Sequence, residues 1–419
     1  MAASWIPTLV LVAGIAVLAP ILGEFSGKLG IPAMVIELVL GVVVGPDVLK
    51  LAHTGSVVSA FSDMGLAFLM FLAGYELDLM RIRGRPLRLA TASWVSSAVV
   101  AVAFSLAVVA TGLEHDPLVF GLTLTTTALG TVLPLIRDAG VLETEFGQHV
   151  MAAGTIGEFG PIVAVSVFLT QRHPAITILL LVVFLATAVA AALLATRTQQ
   201  PRVVAMLGRH LHSSSQLPIR VSILLIFLLV YLASTLGLDV LLGAVAAGIV
   251  VRLFTEGDDS PVIRGKLEAI GFGFLIPIFF VVSGVTFDLH SLLHNPSAAL
   301  RIPLYLLLLL VVRGAPSLWV YRKQLPRPQR LALALFSVTG LPLIVVIAEI
   351  GVAADKMAPE NAAALIAAGV LSVLIFPIVG LRLLPRGTPA ASAGPVDPPS
   401  PPSATGSSGP PHEDPFGRG

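Results

Sequence analysis

The sequence predicts an all-α polytopic membrane protein of about thirteen transmembrane helices, and three observations carry that prediction. The 419-residue chain is 56% hydrophobic and only 12% charged, where a soluble domain carries about 25% charged residues, and its mean hydropathy is +0.95. Its apolar runs are separated by Gly, Pro and charged punctuation. Its basic residues fall almost entirely on one side of the resulting topology.

The apolar runs place helices at approximately 5–23, 31–46, 57–77, 89–112, 117–137, 148–171, 175–196, 217–236, 238–253, 266–286, 301–322, 330–351 and 360–383. The second and ninth are about as short as a span can be. The opening MAASWIPTLVLVAG has no basic region and no A-x-A cleavage site, so it reads as the first helix rather than a removed signal.

Charge bias tests the count independently. With the Arg81, Arg83, Arg85 and Arg88 loop taken as cytoplasmic, alternation also puts Lys28, Arg137, Arg197, Arg202, Arg209, Arg220, Arg252, Arg264, Lys266, Arg322, Lys323, Arg327, Arg330, Arg382 and Arg386 inside. Only Lys50, Arg172, Arg301 and Lys356 fall outside, nineteen against four. A missed or extra helix would scramble that bias, so the expectation is a multi-pass protein of the cytoplasmic membrane with its N-terminus outside and C-terminus inside.

Residues 1–384 thus form one transmembrane domain. Residues 385–419 are rich in Pro, Ser and Gly, lack apolar periodicity and are expected to be a disordered cytoplasmic tail. The net charge of +1 gives no sign of a nucleic-acid partner, and the absence of cysteine excludes disulfides, thiolate catalysis and Cys-ligated metals. No strand–GxGxxG–helix unit, metal-ligand spacing, nucleophile elbow or phosphate loop is present, so no enzyme chemistry, cofactor, resident metal or nucleotide-binding domain is expected.

Two spans are interrupted. The fifth, TLTTTALGTVLPLIRDAG, is threonine-rich, with breaks expected at Gly130 and Pro134. The twelfth, LFSVTGLPLIVVIAEIG, lies seven spans later, with breaks expected at Gly340 and Pro342. Paired interrupted spans in corresponding halves mark the binding site of an inverted-repeat transporter. Helices 1–6 and 8–13 would be the two six-helix repeats, with helix 7 as linker. Unwound backbone at that depth must line protein or a cavity.

In the sixth span, 152-AAGTIGEFGPIV-163 carries a lone acid, Glu158. A carboxylate in hydrocarbon costs roughly 2.5–3.5 kcal/mol even on the lenient insertion scale. Removal from water drives such an acid toward its neutral form, so a proton and a hard monovalent cation would compete for it. Arg313, with about nine apolar residues on either side, is the second intramembrane charge.

Three further stretches carry a family resemblance: 36-IELVLGVVVGPDVL-49, 65-GLAFLMFLAGYELDL-79 and 275-LIPIFFVVSGVTFDL-289. In order on thirteen spans, they resemble the Kef-type monovalent cation:proton antiporter-2 family over residues 8 to 383. The resemblance implies a Na⁺/H⁺ antiporter-like fold with crossed discontinuous helices. It also implies a dimerising scaffold (helices 1–3 and 8–10) around a moving core (helices 4–6 and 11–13), hence a homodimer.

By the same resemblance Glu158 stands where the family has its ion-binding Asp, and Thr126 and Thr127, with Thr131 a weaker candidate, where the fifth span supplies oxygens. Arg313 matches a family Lys/Arg as the charge partner of the core. Two positions depart from the pattern. Gly157 replaces an acid or amide that often precedes the key Asp, leaving one carboxylate and hence electroneutral one-for-one exchange. Leu341 stands where many relatives have an acid, and Glu349 is eight residues further along.

Lesser candidates read structurally. Glu37 would pair within the scaffold, Glu76 and Asp78 would orient the basic loop, and Glu24 with Lys28 forms an i,i+4 pair. His115, His149, His173, His210, His212, His290 and His294 read as solvent-facing loop residues.

The function expected is secondary active exchange of Na⁺ or K⁺ for H⁺ across the lipid bilayer by alternating access at Glu158. The alternatives are a non-transporting membrane sensor or scaffold of the same fold, and a Kef-like K⁺ efflux channel gated by a separate subunit.

Overall fold

A computed structural model describes residues 5–25, 31–77, 82–112, 116–168, 174–197, 216–255, 260–294 and 296–384. The expected tail at 385–419, and with it Lys28, Asp78, His115, His173, His210 and His212, lies outside the described residues.

All thirteen apolar runs fold as helix, and no strand occurs among the described residues. The first half consists of α1 (Trp5–Phe25), α2 (Ala33–Val44), α3 (Ser56–Glu76), α4 (Arg85–Ala110), α5 (Pro117–Leu124), α6 (Leu129–Asp138) and α7 (Glu145–Phe168). The linker α8 (Pro174–Arg197) follows, then α9 (Leu217–Thr235), α10 (Val240–Phe254), α11 (Ser260–Ile270), α12 (Ile276–Val285), α13 (Leu289–His294), α14 (Pro296–Leu309), α15 (Ala315–Val320), α16 (Arg327–Ser337), α17 (Leu341–Ala353) and α18 (Pro359–Leu383). Among the described residues nine helices are long and apolar enough to cross a membrane, and four shorter apolar ones occupy the remaining spans.

Local chemistry sets the ends. Asp116 caps α5, its Oδ1 accepting from Leu118 N at 2.8 Å, with Pro117 in the first turn, where a missing N–H costs nothing. Asp239 caps α10 in the same way, through Leu241 N at 2.9 Å. The tenth and eleventh spans each contain a π turn, Gly271–Leu275 and Leu310–Gly314, followed within two residues by Pro277 or Pro316. A proline cannot donate to the preceding turn, and a widened turn absorbs the lost bond.

Two packed groups result. In one, α2 packs on α12, α3 on α10 and α12, and α9 on α10. In the other, α4 packs on α5 and α7, and α18 packs on α14, α16 and α17. The first group is zipped by paired glycines. A Cβ on Gly41 would fall 3.0 Å from the Gly284 Cα, and one on Gly248 would fall 2.9 Å from the Gly74 carbonyl carbon. These contacts, span 2 to span 10 and span 9 to span 3, exchange under the inverted repeat, and 74-GYELDL-79 and 284-GVTFDL-289 are its sequence trace. Without a hydrophobic drive between helices in lipid, small residues that let backbones touch supply the association.

Several sequence-based placements change. Gly130 and Pro134 do not break the fifth span: α6 runs through both, and the non-helical stretch is 125–128. Threonine hydroxyls make that break possible, since Thr125 and Thr126 donate to the Leu122 and Thr123 carbonyls at 2.8 and 2.9 Å and satisfy the end of α5 from within. Gly340 and Pro342 do sit at the second break, Gly340 in the gap and Pro342 in the first turn of α17.

His149 is not a loop residue. It is buried in α7, its Nδ1 2.8 Å from the Glu145 carbonyl and its ring edge-on to Tyr321. His290 and His294 fall within α13. Glu76 reaches across to Arg264 at 3.1 Å; the start of the basic loop it was expected to orient, 78–81, lies outside the described residues.

Candidate functional site

The two interruptions meet. Thr127 N donates to the Gly157 carbonyl at 2.9 Å, and Ala128 N donates to the Thr339 carbonyl at 2.5 Å. The Thr127 hydroxyl donates to the Ser337 carbonyl. Backbone groups freed by each break are therefore satisfied by the other break and by α7, as a water-poor interior requires.

Glu158 lies beside this crossing, 6% exposed. Its Oε2 accepts from Leu129 N, the first residue of α6, at 3.2 Å. An acid at a helix N-terminus meets unsatisfied N–H groups and the positive end of the dipole.

Arg313 projects from the π turn of the eleventh span and is 1% exposed. Its Nε and Nη2 donate to the Thr127 hydroxyl at 3.1 and 2.7 Å. Weaker bonds reach the Ser337 carbonyl at 3.3 Å, Ser97 Oγ at 3.4 Å and the Ala153 carbonyl at 3.5 Å. Ser337 is the last residue of α16, so the guanidinium occupies the negative end of that half-helix. Thus α6 starts at a carboxylate and α16 ends at a guanidinium. The two charges are not in direct contact: no ion pair joins Glu158 to Arg313.

The Gly157 departure has a steric cause. A Cβ there would collide with Arg313 Nη2 and lie 2.6 Å from Thr127 Oγ1. The volume an acid or amide would take is filled by the guanidinium and its threonine acceptor. Leu341, fully buried, opens α17 at the crossing.

The expected oxygens are present but engaged. Thr127 Oγ1 accepts from Arg313 while donating to Ser337, and Thr126 and Thr131 donate to the Thr123 and Ala128 carbonyls. None of these hydroxyls bonds Glu158. A cavity of about 10 Å³, bounded by Thr127, Leu129, Gly154 and Ser337 among others, adjoins the crossing. That volume holds about one water-sized guest.

Sequence reading missed the hydroxyls of α4. Ser93, Ser97 and Ser105 are buried on one face; Ser97 accepts from Arg313, and Ser93 bonds Ser317 at 3.1 Å on the helix following it. Their four- and eight-residue spacing was the available signal. Among the described residues no group of three or more His, Cys, Asp or Glu is placed to hold a metal ion.

Comparison with known proteins follows the same lines. The profile of the family described as "Sodium/hydrogen exchanger, transmembrane" matches residues 13–384. YjbQ of Bacillus subtilis (strain 168), which carries a Na(+)/H(+) antiporter name, is 28% identical over 402 residues, spanning 92% of this chain and 64% of that relative. The Na(+)/H(+)-K(+) antiporter GerN of Bacillus cereus is 27% identical over 284 residues, 64% of this chain and 68% of the relative. The glutathione-regulated potassium-efflux system protein KefC of Escherichia coli is 24% identical over 375 residues, 86% of this chain and 58% of the relative. This chain therefore spans just under two thirds of YjbQ and less of KefC. The sodium proton antiporter MjNhaP1 of Methanocaldococcus jannaschii superposes with a TM-score of 0.63 at 18% identity, over 90% of this chain and 99% of that one, a likeness of fold.

Proposed function

Since the chain belongs to the sodium/hydrogen exchanger family, we propose that it exchanges a monovalent cation, Na⁺ or K⁺, for H⁺ by alternating access, with Glu158 as the shared site. The observation that carries this reading is Glu158 itself: a buried carboxylate at the start of a half-helix, beside two crossed interruptions and without a basic partner. The same carboxyl holds a proton as the neutral acid or a cation as the carboxylate, and each displaces the other. Crossing in either loaded form, but not empty, couples the two fluxes.

Arg313 acts as the fixed counter-charge of the core. Because it bonds neutral oxygens rather than Glu158, it lowers the cost of a nearby negative charge without occupying the site. Thr126 and Thr127 supply oxygens suited to a hard cation once the crossing loosens. With Gly157 before it, Glu158 is the one acid at the crossing, and the exchange is one cation for one proton.

The packing of α2, α3, α9, α10 and α12 against one another supports a scaffold of spans 1–3 and 8–10, through which two copies pair, around a moving core of spans 4–6 and 11–13. The charge bias supports an external N-terminus and a cytoplasmic C-terminus.

The test is exchange by purified protein in liposomes containing a pH dye. Wild type dequenches the dye on addition of Na⁺, K⁺ or Li⁺, and Glu158→Gln does not, while eluting and melting as wild type does. A Glu158→Gln protein that exchanges at the wild-type rate would overturn the assignment. A wild type inert to all three ions would favour the sensor alternative.

A further inference from the structure

The outward faces of α4 and of the eleventh span run into one basic patch. On α4 the exposed residues Val95, Val99 and Val102 share a helical face with Arg88 and Arg85, which open the helix. On the eleventh span the exposed face carries Leu304 and Leu307, then Trp319, and ends at Arg322 and Lys323 in the 3₁₀ turn Tyr321–Lys323. The two ends lie side by side. α15 packs on α4, Ser93 bonds Ser317 at 3.1 Å, and Leu87, Leu89 and Val320 pack on one apolar cluster. Arg88 stands five residues before Ser93 and Arg322 five after Ser317, so each lies about one and a half turns from that bond.

Positive-inside bias explains why these ends are basic, but not why nothing neutralises them. Neither α4 nor the span 301–323 contains an acid, and none of Arg85, Arg88, Arg322 and Lys323 forms an ion pair among the described residues. Trp319 is 62% exposed, and the Arg322 guanidinium carbon lies 5.1 Å from its ring centroid. Stacking on the indole restrains the guanidinium and leaves its N–H groups for another acceptor. An exposed tryptophan at the end of an apolar stripe marks the headgroup level, where its ring meets hydrocarbon and its N–H meets water. Four unpaired cations at that depth face lipid phosphate, and the apolar stripes beyond them face the acyl chains.

We infer that Arg85, Arg88, Arg322 and Lys323, with Trp319, form a binding site for the headgroup of an anionic phospholipid, in the leaflet that the charge bias places inside. Charge complementarity selects an anion, and continuity with two exposed apolar stripes selects a lipid over a soluble one. Because α4 and the eleventh span belong to the group proposed to move, the bound headgroup ties the inner rim of that group to the leaflet. That consequence rests on the exchanger reading above; the lipid contact does not.

The experiment is quenching of tryptophan fluorescence by brominated phosphatidylglycerol or brominated phosphatidylcholine, in nanodiscs holding the full-length protein. Subtracting the Trp319→Phe signal removes Trp5 and Trp94 and leaves Trp319. Half-quenching by phosphatidylglycerol is expected at a mole fraction at least about fivefold below that for phosphatidylcholine, the scale of one basic group near an anionic surface. Changing Arg85, Arg88, Arg322 and Lys323 together to Gln abolishes that preference. All four are exposed, so the fold should survive; if it does not, Arg88→Gln with Arg322→Gln lowers the preference at least about twofold. Equal quenching by the two lipids, or a preference indifferent to these changes, would overturn the proposal. So would a preference abolished by millimolar inorganic phosphate, which means a soluble anion, or one appearing only after Asp397→Asn, Glu413→Gln and Asp414→Asn, which means the chain's own acids. A lipid preference in a wild type inert to Na⁺, K⁺ and Li⁺ would sink the exchanger reading and leave this site standing.

Discussion

The two interrupted spans break in chemically different ways. The second breaks at glycine with a proline just beyond, a discontinuity written in residue types that cannot continue a helix. The first breaks at 125–128, where every non-helical residue but Ala128 is threonine and no glycine or proline occurs. There the helix ends because hydroxyls bond the carbonyls of the preceding turn, while the backbone N–H groups of Thr127 and Ala128 are taken by α7 and by the other break. One break is intrinsic to its segment and the other is imposed by its neighbours. The charges follow the same division: the acid sits at the start of the half-helix after the threonine break, and the base at the end of the half-helix before the glycine break.

Substitutions can break or sharpen that contrast. The largest effect is expected from Gly340→Ala, whose Cβ would lie 2.9 Å from the Thr126 backbone carbonyl oxygen. Backbone cannot swing aside as a side chain can, so exchange should fall below detection and thermal stability should drop by about 1–3 kcal/mol or more. Melting curves beside dye-monitored exchange check it, and a variant unchanged in both would mean that the two breaks do not touch.

Arg313→Ala comes next. It removes the cation that bonds Thr127 Oγ1 and the Ser337 carbonyl, and its cost should be a few kcal/mol, since buried polar groups lose their partner. Exchange should persist with a displaced pH profile, because Glu158 is not bonded to the guanidinium. Wild-type stability with a wild-type pH profile would remove Arg313 from the core.

Thr127→Val keeps the shape and deletes the shared acceptor, leaving Nε and Nη2 with only their longer bonds to the Ser337 and Ala153 carbonyls. A loss of about 1–3 kcal/mol is expected, with less effect on exchange than Glu158→Gln. Thermal melting of Thr127→Val with and without Arg313→Ala measures the coupling, and additive losses would show that the pair does not act together.

Gly130→Ala is the control. Nothing lies within 4 Å of a Cβ at that position. Because Gly130 is helical, exchange should be unchanged and stability should rise by at most about 1 kcal/mol. A large loss there would restore Gly130 as a break and undo the contrast.

Gly157 shows how a departure from a family pattern can be read only after folding. In the sequence it removes an acid or amide and leaves the mechanism one group short. In the structure the missing side chain is the space that Arg313 and Thr127 occupy, so glycine and arginine there form one steric unit. His149 gives the opposite lesson. Second residue of the 148–171 run, it reads as an exposed end, yet in α7, which begins at Glu145, it lies buried with its ring edge-on to Tyr321.

The sequence by itself determined the class, the thirteen spans, the glycine–proline break and the position of the lone acid. Hydropathy, charge bias and proline are properties of a segment on its own, and lipid imposes them one helix at a time. Only the tertiary structure decided where the first break falls, which oxygens receive Arg313 and why residue 157 must be small. Each of these depends on which backbone passes within hydrogen-bond distance of another, and no single segment encodes that distance.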